Sequence, residues 1–430
     1  MILWASTEQQ TKMLDETASA LGATYFRFVV YWSRAQPQQG VYDPASSYMR
    51  SVASAVTQAH QDGLKVMITF QGVPKWASAS QFWSQTGGYR ERYAMRSKYL
   101  PDFEKFCQDV ATQFRGQVYA YEAWNEPNLS AYLGPQKTPQ NRNFAADLYV
   151  KMLGSFSDGI KAAYRGYDGP RALRVGGATA PRGNNTRSST SPQRFAARIK
   201  AKGAARFFDV YSHHPYMPGA SPRMWPEAAP AHPKTTVTLQ NLGKLLKLFP
   251  NKRFFLTEYG VQTAPCLWFS GQHVNQITQA KYLRRAYAYA ARYRQVKLLM
   301  WFLLNDYSPP GMKANQGFYT GLNTAGGAHK RAWYVFARGN HLTLNAPTAI
   351  NRGSALTLTG TLSCSSVGGL AGKQLAVQRR SPGHSWSTVK TVNSGAAGLY
   401  TVRLRPKASA YYRVTWLGVT TSRTRRVAVN

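Results

Sequence analysis

The chain has 430 residues, 43% hydrophobic and 13% aromatic, and single cores stop growing near about 250–300 residues, so one large domain plus a smaller one is expected. Lysine and arginine number 54 against 18 acids, a net charge of +36, and a field of that sign attracts anionic polymers. The absence of an arginine-rich tail, zinc-finger spacing or basic helical stripe argues against a dedicated nucleic-acid reader, no apolar run reaches the ~18–20 residues of a membrane span, and Cys107, Cys266 and Cys364 are too widely spaced for a disulfide framework or a metal site.

In chain order, a helix is predicted over 7–21, starting almost at once after Met1-Ile2-Leu3-Trp4. The N-terminus shows no basic-then-apolar leader. The expectation is that a signal peptide, and even a first strand, has been lost upstream of Met1, and that the protein is extracellular or associated with the cell envelope. Short runs rich in β-branched and aromatic residues follow at 25–30, 65–70, 118–124, 173–176, 208–212, 253–257 and 296–302. Amphipathic stretches at 45–60, 101–114, 145–164, 192–202, 236–249 and 276–293 alternate with them.

That alternation is the pattern of βα units around a parallel sheet. The fold class expected is α/β, a (β/α)8 TIM barrel over 1–340 whose first strand is short or missing, with only residues 1–5 left to supply it. An open doubly wound sheet is the competitor, but it would carry a Gly-rich phosphate turn after its first strand. Gly176-Gly177 is only a glycine pair, suited to a tight turn or close packing. Residues 341–430 differ in kind: period-two alternation, recurrent turns such as Ser381-Pro382-Gly383, 12 basic residues and no acid. They are expected to form a β-sandwich of immunoglobulin-like size without paired cysteines, serving as carbohydrate binder, envelope tether or spacer.

Acids are scarce after Asp168, where only Asp209, Glu227, Glu258 and Asp306 occur. Two glutamates nonetheless end strand-like runs, Glu126 in Trp124-Asn125-Glu126-Pro127-Asn128 and Glu258 in Leu256-Thr257-Glu258-Tyr259-Gly260. In a βα barrel the chemistry sits at the carboxyl ends of the strands. Two facing carboxyl groups there are the minimal equipment for cleaving a glycosidic bond. A salt bridge or a cap is the alternative reading of either glutamate alone.

Asn-Glu-Pro after a fourth strand and Thr-Glu-Tyr-Gly on a seventh resemble the clan A glycoside hydrolases, closest to the family 39 and family 5 types. The resemblance implies a retaining glycosidase acting on β-linked polysaccharide or oligosaccharide, with Glu126 as acid/base, Glu258 as nucleophile and no cofactor. It also implies that Arg27 donates to Glu258, that Asn125 binds a sugar hydroxyl, that His214 and Tyr216 of the His-Pro-Tyr string belong to the site, and that Trp301 stacks on sugar. Where relatives place a histidine after the third strand, this chain reads Phe70-Gln71-Gly72-Val73-Pro74-Lys75-Trp76. Gln71 is then the substitute for its hydrogen bonds and Trp76 a subsite wall, while His213 is structural. Adjacent histidines also raise a metal, but no third ligand recurs at a usable spacing. A non-catalytic carbohydrate-binding or envelope-adhesion protein on the same scaffold is the alternative function. The basic surface makes an anionic envelope polymer a further candidate partner.

Overall fold

Seven parallel strands run in chain order across one sheet: β1 (Tyr25–Tyr31), β2 (Lys65–Gln71), β3 (Val118–Glu122), β4 (Leu173–Thr179), β5 (Val210–His213), β6 (Arg253–Tyr259) and β7 (Val296–Trp301). The computed structural model describes residues 6–217, 225–267, 272–309, 311–337, 340–364, 368–416 and 420–430. The helices are α1 (Thr7–Asp15), α2 (Trp32–Ala35), α3 (Ser47–Gln61), α4 (Leu100–Gln113), α5 (Phe144–Ala163), α6 (Pro192–Ala201), α7 (Gly243–Leu246), α8 (Gln276–Ala290) and α9 (Arg331–Phe336). This is a barrel-type βα sheet. Among the described residues no strand joins β7 to β1, and residues 1–5, the expected remnant of a first strand, lie outside them.

Local chemistry sets the element ends. Ser6 and Gln9 exchange backbone and side-chain bonds in a capping box that starts α1. Ser46 Oγ caps α3 by accepting from Met49 N, and Asn275 Oδ1 caps α8 by accepting from Thr278 N. Proline, whose missing N–H costs nothing in a first turn, opens α4 and α6. The helix expected over 236–249 shrinks to α7. Asn241 explains the loss: its Oδ1 accepts from Thr238 N at 2.8 Å and its Nδ2 donates to Thr236 O at 2.9 Å, a local bonding pattern that competes with helix.

Two apolar layers hold the sheet. Outside it, helices α3 to α6 pack Val52, Phe103, Phe106, Leu153, Phe156 and their neighbours onto Ile68, Phe70 and Tyr121. At Gly159 in α5 a Cβ would meet Glu104 O of α4 at 2.3 Å, so these helices approach closely only because the residue is glycine. Inside it, Met67, Ala120, Val175, Val210, Phe255 and Leu298, one from each of β2 to β7, form an apolar floor. Two residues further along β2, β3, β5 and β6 come Thr69, Glu122, Ser212 and Thr257, all buried. Side chains alternate faces along a strand, so these polar groups form the next inward layer, above the floor and towards the strands' carboxyl ends.

The chain then enters two antiparallel sheets. One orders β11 (Gly368–Gly369), β10 (Leu356–Cys364) and β14 (Leu399–Leu404), with β8 (Asn340–Leu342) also on β10. The other orders β13 (Ser387–Asn393), β12 (Gln374–Arg380), β15 (Ala410–Trp416), β17 (Arg425–Val429) and β9 (Ala349–Ile350), with β16 (Thr420–Thr421) on β15. Leu356, Leu358, Leu362, Leu375, Val377, Val402, Tyr412 and Val414 fill the space between them as a sandwich core. That core continues into Leu21, Leu283, Leu322 and Trp333 of the preceding region. Tyr334 of α9 stands edge-on to Trp416 at 4.9 Å and receives a hydrogen bond from Lys373 Nζ.

Candidate active site

Three carboxylates meet at the carboxyl end of the sheet, where the sequence pointed to only two. Glu122 is the last residue of β3 and has no exposed surface. It accepts from Arg27 Nε at 2.9 Å and Nη2 at 2.7 Å, from Thr69 Oγ1 at 2.7 Å and from Thr257 Oγ1 at 3.0 Å. Burial, the largest single influence, would raise its pKa, but the Arg27 guanidinium, the His214 ring and the hydroxyls of Ser212 and Thr69 together outweigh it and hold Glu122 below the ordinary carboxylate range. Arg27 in turn is held above its usual value by Glu122 and Glu258, against its own burial.

Past Glu122 the backbone leaves the sheet. Trp124 and Glu126 both take positive φ, 81° and 42°, which ends β3 two residues before its predicted end. Glu126 N donates to Ala178 O at 2.9 Å, fixing the turn against β4. There Gly177, at φ 108°, would drive a Cβ into Ser212 O at 2.6 Å, so the glycine pair does serve close packing. Trp124 is fully buried, edge-on to Phe103, with Nε1 donating to Tyr132 O.

On β6 the pairing with β7 shifts register between Leu256 and Tyr259. That irregularity lets consecutive residues Thr257 and Glu258 both reach the Arg27 and Glu122 cluster. Glu258 Oε1 accepts from Arg27 Nη1 at 2.7 Å and Oε2 from Tyr216 O–H at 2.9 Å. Arg27 Nη2 also donates to Asn125 Oδ1 at 2.9 Å. One guanidinium therefore ties Glu122, Glu258 and Asn125 together.

His214 stands between the remaining pair. Its Nδ1 lies 2.9 Å from Glu126 Oε1 and 3.6 Å from Glu258 Oε2, and its Nε2 lies 3.1 Å from Thr257 Oγ1. The ionised Glu122 can only accept, so Thr257 spends its one proton there and must accept from Nε2–H of His214. Nδ1 is then free to share a single proton with Glu126. Burial raises the pKa of Glu126 and the nearby charge of Glu258 adds to it, with His214 working in the opposite direction. For His214, burial opposes the charge, but Glu258 and then Glu126 outweigh it and raise the value.

An oxygen of Glu126, an oxygen of Glu258 and a nitrogen of His214 all lie within 4.8 Å of one another. Two carboxylates and an imidazole are also a donor set for a cation, one that wide sequence spacing hid. The guanidinium and phenol already on Glu258 compete for that role. Glu126 and Glu258 each expose 12% of their side chain whereas Glu122 exposes none, so the first two can touch a substrate and the third cannot.

Of the other expected site residues, Trp301 ends β7 with Nε1 donating to Thr320 O, and it lines a cavity of about 1560 Å³ together with Arg27, Glu258, Tyr31 and Asp306. Gln71 ends β2 opposite Tyr31, with no hydrogen bond to either carboxylate. Trp76 is half-buried, packed edge-on to Trp32 and Tyr99 with Nε1 donating to Gln36 O. His213 is buried between Thr179 and Val237 O, and burial drops its pKa to about 3, in keeping with a structural part. Glu122, Thr69, Thr257 and Tyr132 went unmarked in the sequence. Tyr132 is raised by burial and then by the charges of Glu126 and Glu258.

The model of the cellulase family, glycosyl hydrolase family 5, matches residues 1–307. Among solved structures the chain is similar to a family 39 glycoside hydrolase from the gut symbiont Bacteroides cellulosilyticus, with TM-score 0.55, 15% identity, and coverage of 92% of this chain and 78% of that one. It is similar to GH5_18 from Streptomyces cattleya in complex with GlcNAc, with TM-score 0.54, 16% identity, and coverage of 80% and 79%. It is also similar to an exo-β-1,4-mannosidase from an Opitutaceae bacterium, with TM-score 0.50, 17% identity, and coverage of 76% and 54%. No curated protein matches the chain.

Proposed function

This chain belongs to glycosyl hydrolase family 5 and is a glycoside hydrolase, and from that premise we propose that it cleaves β-glycosidic bonds in a polysaccharide or oligosaccharide with retention of anomeric configuration. The observation that carries the proposal is the approach of Glu126 and Glu258 oxygens to within 4.8 Å. Retaining pairs stand about 5–5.5 Å apart, whereas inverting pairs leave about 6.5–9.5 Å for a water. Names of similar folds, an exo-β-1,4-mannosidase and a β-glycosidase among them, support the β configuration.

In the first step a Glu258 oxygen attacks the anomeric carbon while Glu126 gives its proton to the departing glycosidic oxygen, leaving a glycosyl ester on Glu258. In the second, Glu126 takes a proton from water, the hydroxide adds to the anomeric carbon, and the Glu258 carboxylate leaves. Arg27 and Tyr216, one donor to each Glu258 oxygen, orient the carboxylate for attack and stabilise its charge again when it leaves. Burial and the Glu258 charge keep Glu126 protonated for the first step. When Glu258 becomes a neutral ester that charge is gone, the pKa of Glu126 falls, and the same group becomes the base. In this reading Asn125 binds the hydroxyl next to the anomeric carbon and Trp301 stacks on the ring. The net charge supports work outside the cell or at its envelope, against an anionic polymer.

The test is chemical. Glu126→Gln and Glu258→Gln should each abolish hydrolysis of an aryl β-glycoside. A 2-deoxy-2-fluoro aryl glycoside of the active sugar should leave one sugar mass on the peptide carrying Glu258 in wild type and none in Glu258→Gln. Label on another peptide, or full activity in either variant, would overturn the assignment.

A further inference from the structure

The outer face of the larger C-terminal sheet carries a cluster of cations and aromatic rings. Leu375 and Val377 of β12 and Tyr412 and Val414 of β15 point into the sandwich core, so alternation turns Gln378, Arg380, Tyr411 and Arg413 outward. Register pairs them directly, Gln378 with Arg413 and Arg380 with Tyr411, and β17 adds Arg426 opposite Tyr411. Strands lie about 4.8 Å apart, so Arg380 and Arg426 flank Tyr411 in a row roughly 10 Å across.

Trp386, just before β13, closes the group: the Arg413 guanidinium lies 4.2 Å and that of Arg380 5.0 Å from its ring, and Arg380 also lies 5.4 Å from Tyr411. Arg413 Nε is steadied by Gln378 Oε1 at 2.8 Å. Residues 341–430 contain no aspartate or glutamate, and among the described residues no ion pair includes any of them. Burial and then the neighbouring Arg380 depress the pKa of Arg413.

Two guanidinium groups oriented by rings rather than by carboxylates have their planar donor forks left for an outside anion. We propose that this face binds an acidic polysaccharide, its carboxylates taken by Arg380, Arg413 and Arg426 and its sugar rings packed against the Tyr411 and Trp386 edge. The inference rests on reading the basic surface as facing an anionic polymer, and it assigns that role to one sheet face separate from the carboxylate site. A glycan is favoured over nucleic acid because the same chain is a glycoside hydrolase.

The experiment measures binding of the full chain to polygalacturonate at moderate salt, with neutral dextran and duplex DNA at equal charge or mass as comparisons. Arg380→Gln/Arg413→Gln should weaken polygalacturonate binding by about tenfold or more. It should leave aryl glycoside hydrolysis unchanged. Glu258→Gln should bind like wild type, so loss of turnover and loss of this site are separable. Tyr411→Ala, which keeps every charge, should weaken binding severalfold. Lys200→Gln/Lys202→Gln, removing two exposed barrel cations, should have little effect. Equal loss in the lysine variant, or no loss in the arginine variant, would show nonspecific charge attraction and overturn the proposal. So would tighter binding to duplex DNA that the arginine pair controls.

Discussion

Replacing Glu122 by glutamine removes a charge that no substrate can touch and should still disable the enzyme. Arg27 gives Nε and Nη2 to Glu122, Nη1 to Glu258 and shares Nη2 with Asn125, so Glu122 is the anchor that orients the guanidinium towards Glu258. A glutamine there keeps one acceptor but puts an NH2 among four donors, three from Arg27 and Thr69 and one from Thr257. Breaking a buried ion pair by removing one partner costs about 3–5 kcal/mol. The part of this that reaches catalysis is the weakened charged hydrogen bond to Glu258, about 1.5–3 kcal/mol. At 1.36 kcal/mol per decade that is roughly a 10- to 100-fold fall in kcat, with KM little changed. Stability carries the rest with a definite pH sign. The folded pKa of Glu122 is depressed, so its contribution is present above the unfolded value near about 4.3 and fades as pH falls through the folded value. Wild type should therefore lose its stability advantage over Glu122→Gln on acidification below that window. The assays are steady-state hydrolysis of an aryl β-glycoside and thermal unfolding at several pH values. A variant with kcat within twofold of wild type and an unchanged melting temperature at neutral pH would refute the anchoring role.

Tyr216→Phe deletes the O–H donor to Glu258 Oε2 and should slow formation of the glycosyl ester by about 10- to 100-fold, the worth of a hydrogen bond to a charged group, read by pre-steady-state release of the aryl group. His214→Phe removes the influence that pulls the Glu126 pKa down; the basic limb of the kcat/KM profile should move to higher pH, and a move to lower pH would contradict the shared-proton arrangement. Trp301→Ala should raise KM for an oligosaccharide, whereas Trp76→Phe, a change within the Trp32 and Tyr99 packing, should lower the melting temperature and leave KM alone. Lys330→Met strands Asp306, which receives two bonds from Lys330 Nζ and lines the cavity, and should cost about 3–5 kcal/mol in denaturant unfolding.

The strands were legible because runs such as Tyr25–Tyr31 and Lys65–Gln71 are rich in β-branched and aromatic residues, as a sheet covered on both faces favours. Glu126 and Glu258 were legible because each stands at the end of such a run, Glu258 in a stretch where acids are scarce. Glu122 was not: within Tyr-Ala-Tyr-Glu-Ala it reads as an ordinary strand residue, and its meaning appears only when Thr69 and Thr257 from neighbouring strands and Arg27 from β1 converge on it. Helix periodicity over 236–249 was overridden by the local bonds of Asn241. Trp76 carried no sequence mark to tell a subsite wall from a core ring, since that depends on which loop folds over it. The basic cluster of the second sheet was visible as composition but not as a site, because the row from Arg380 to Arg426 exists only once β12, β15 and β17 are in register.

The most direct test of the whole account is the anomeric configuration of the first sugar released, followed by proton NMR within the first minutes of hydrolysis and before mutarotation. Double displacement through Glu258 predicts that the β anomer appears first and the α anomer grows in slowly. Initial appearance of the α anomer would mean single displacement by water and would contradict the proposed roles of Glu126 and Glu258.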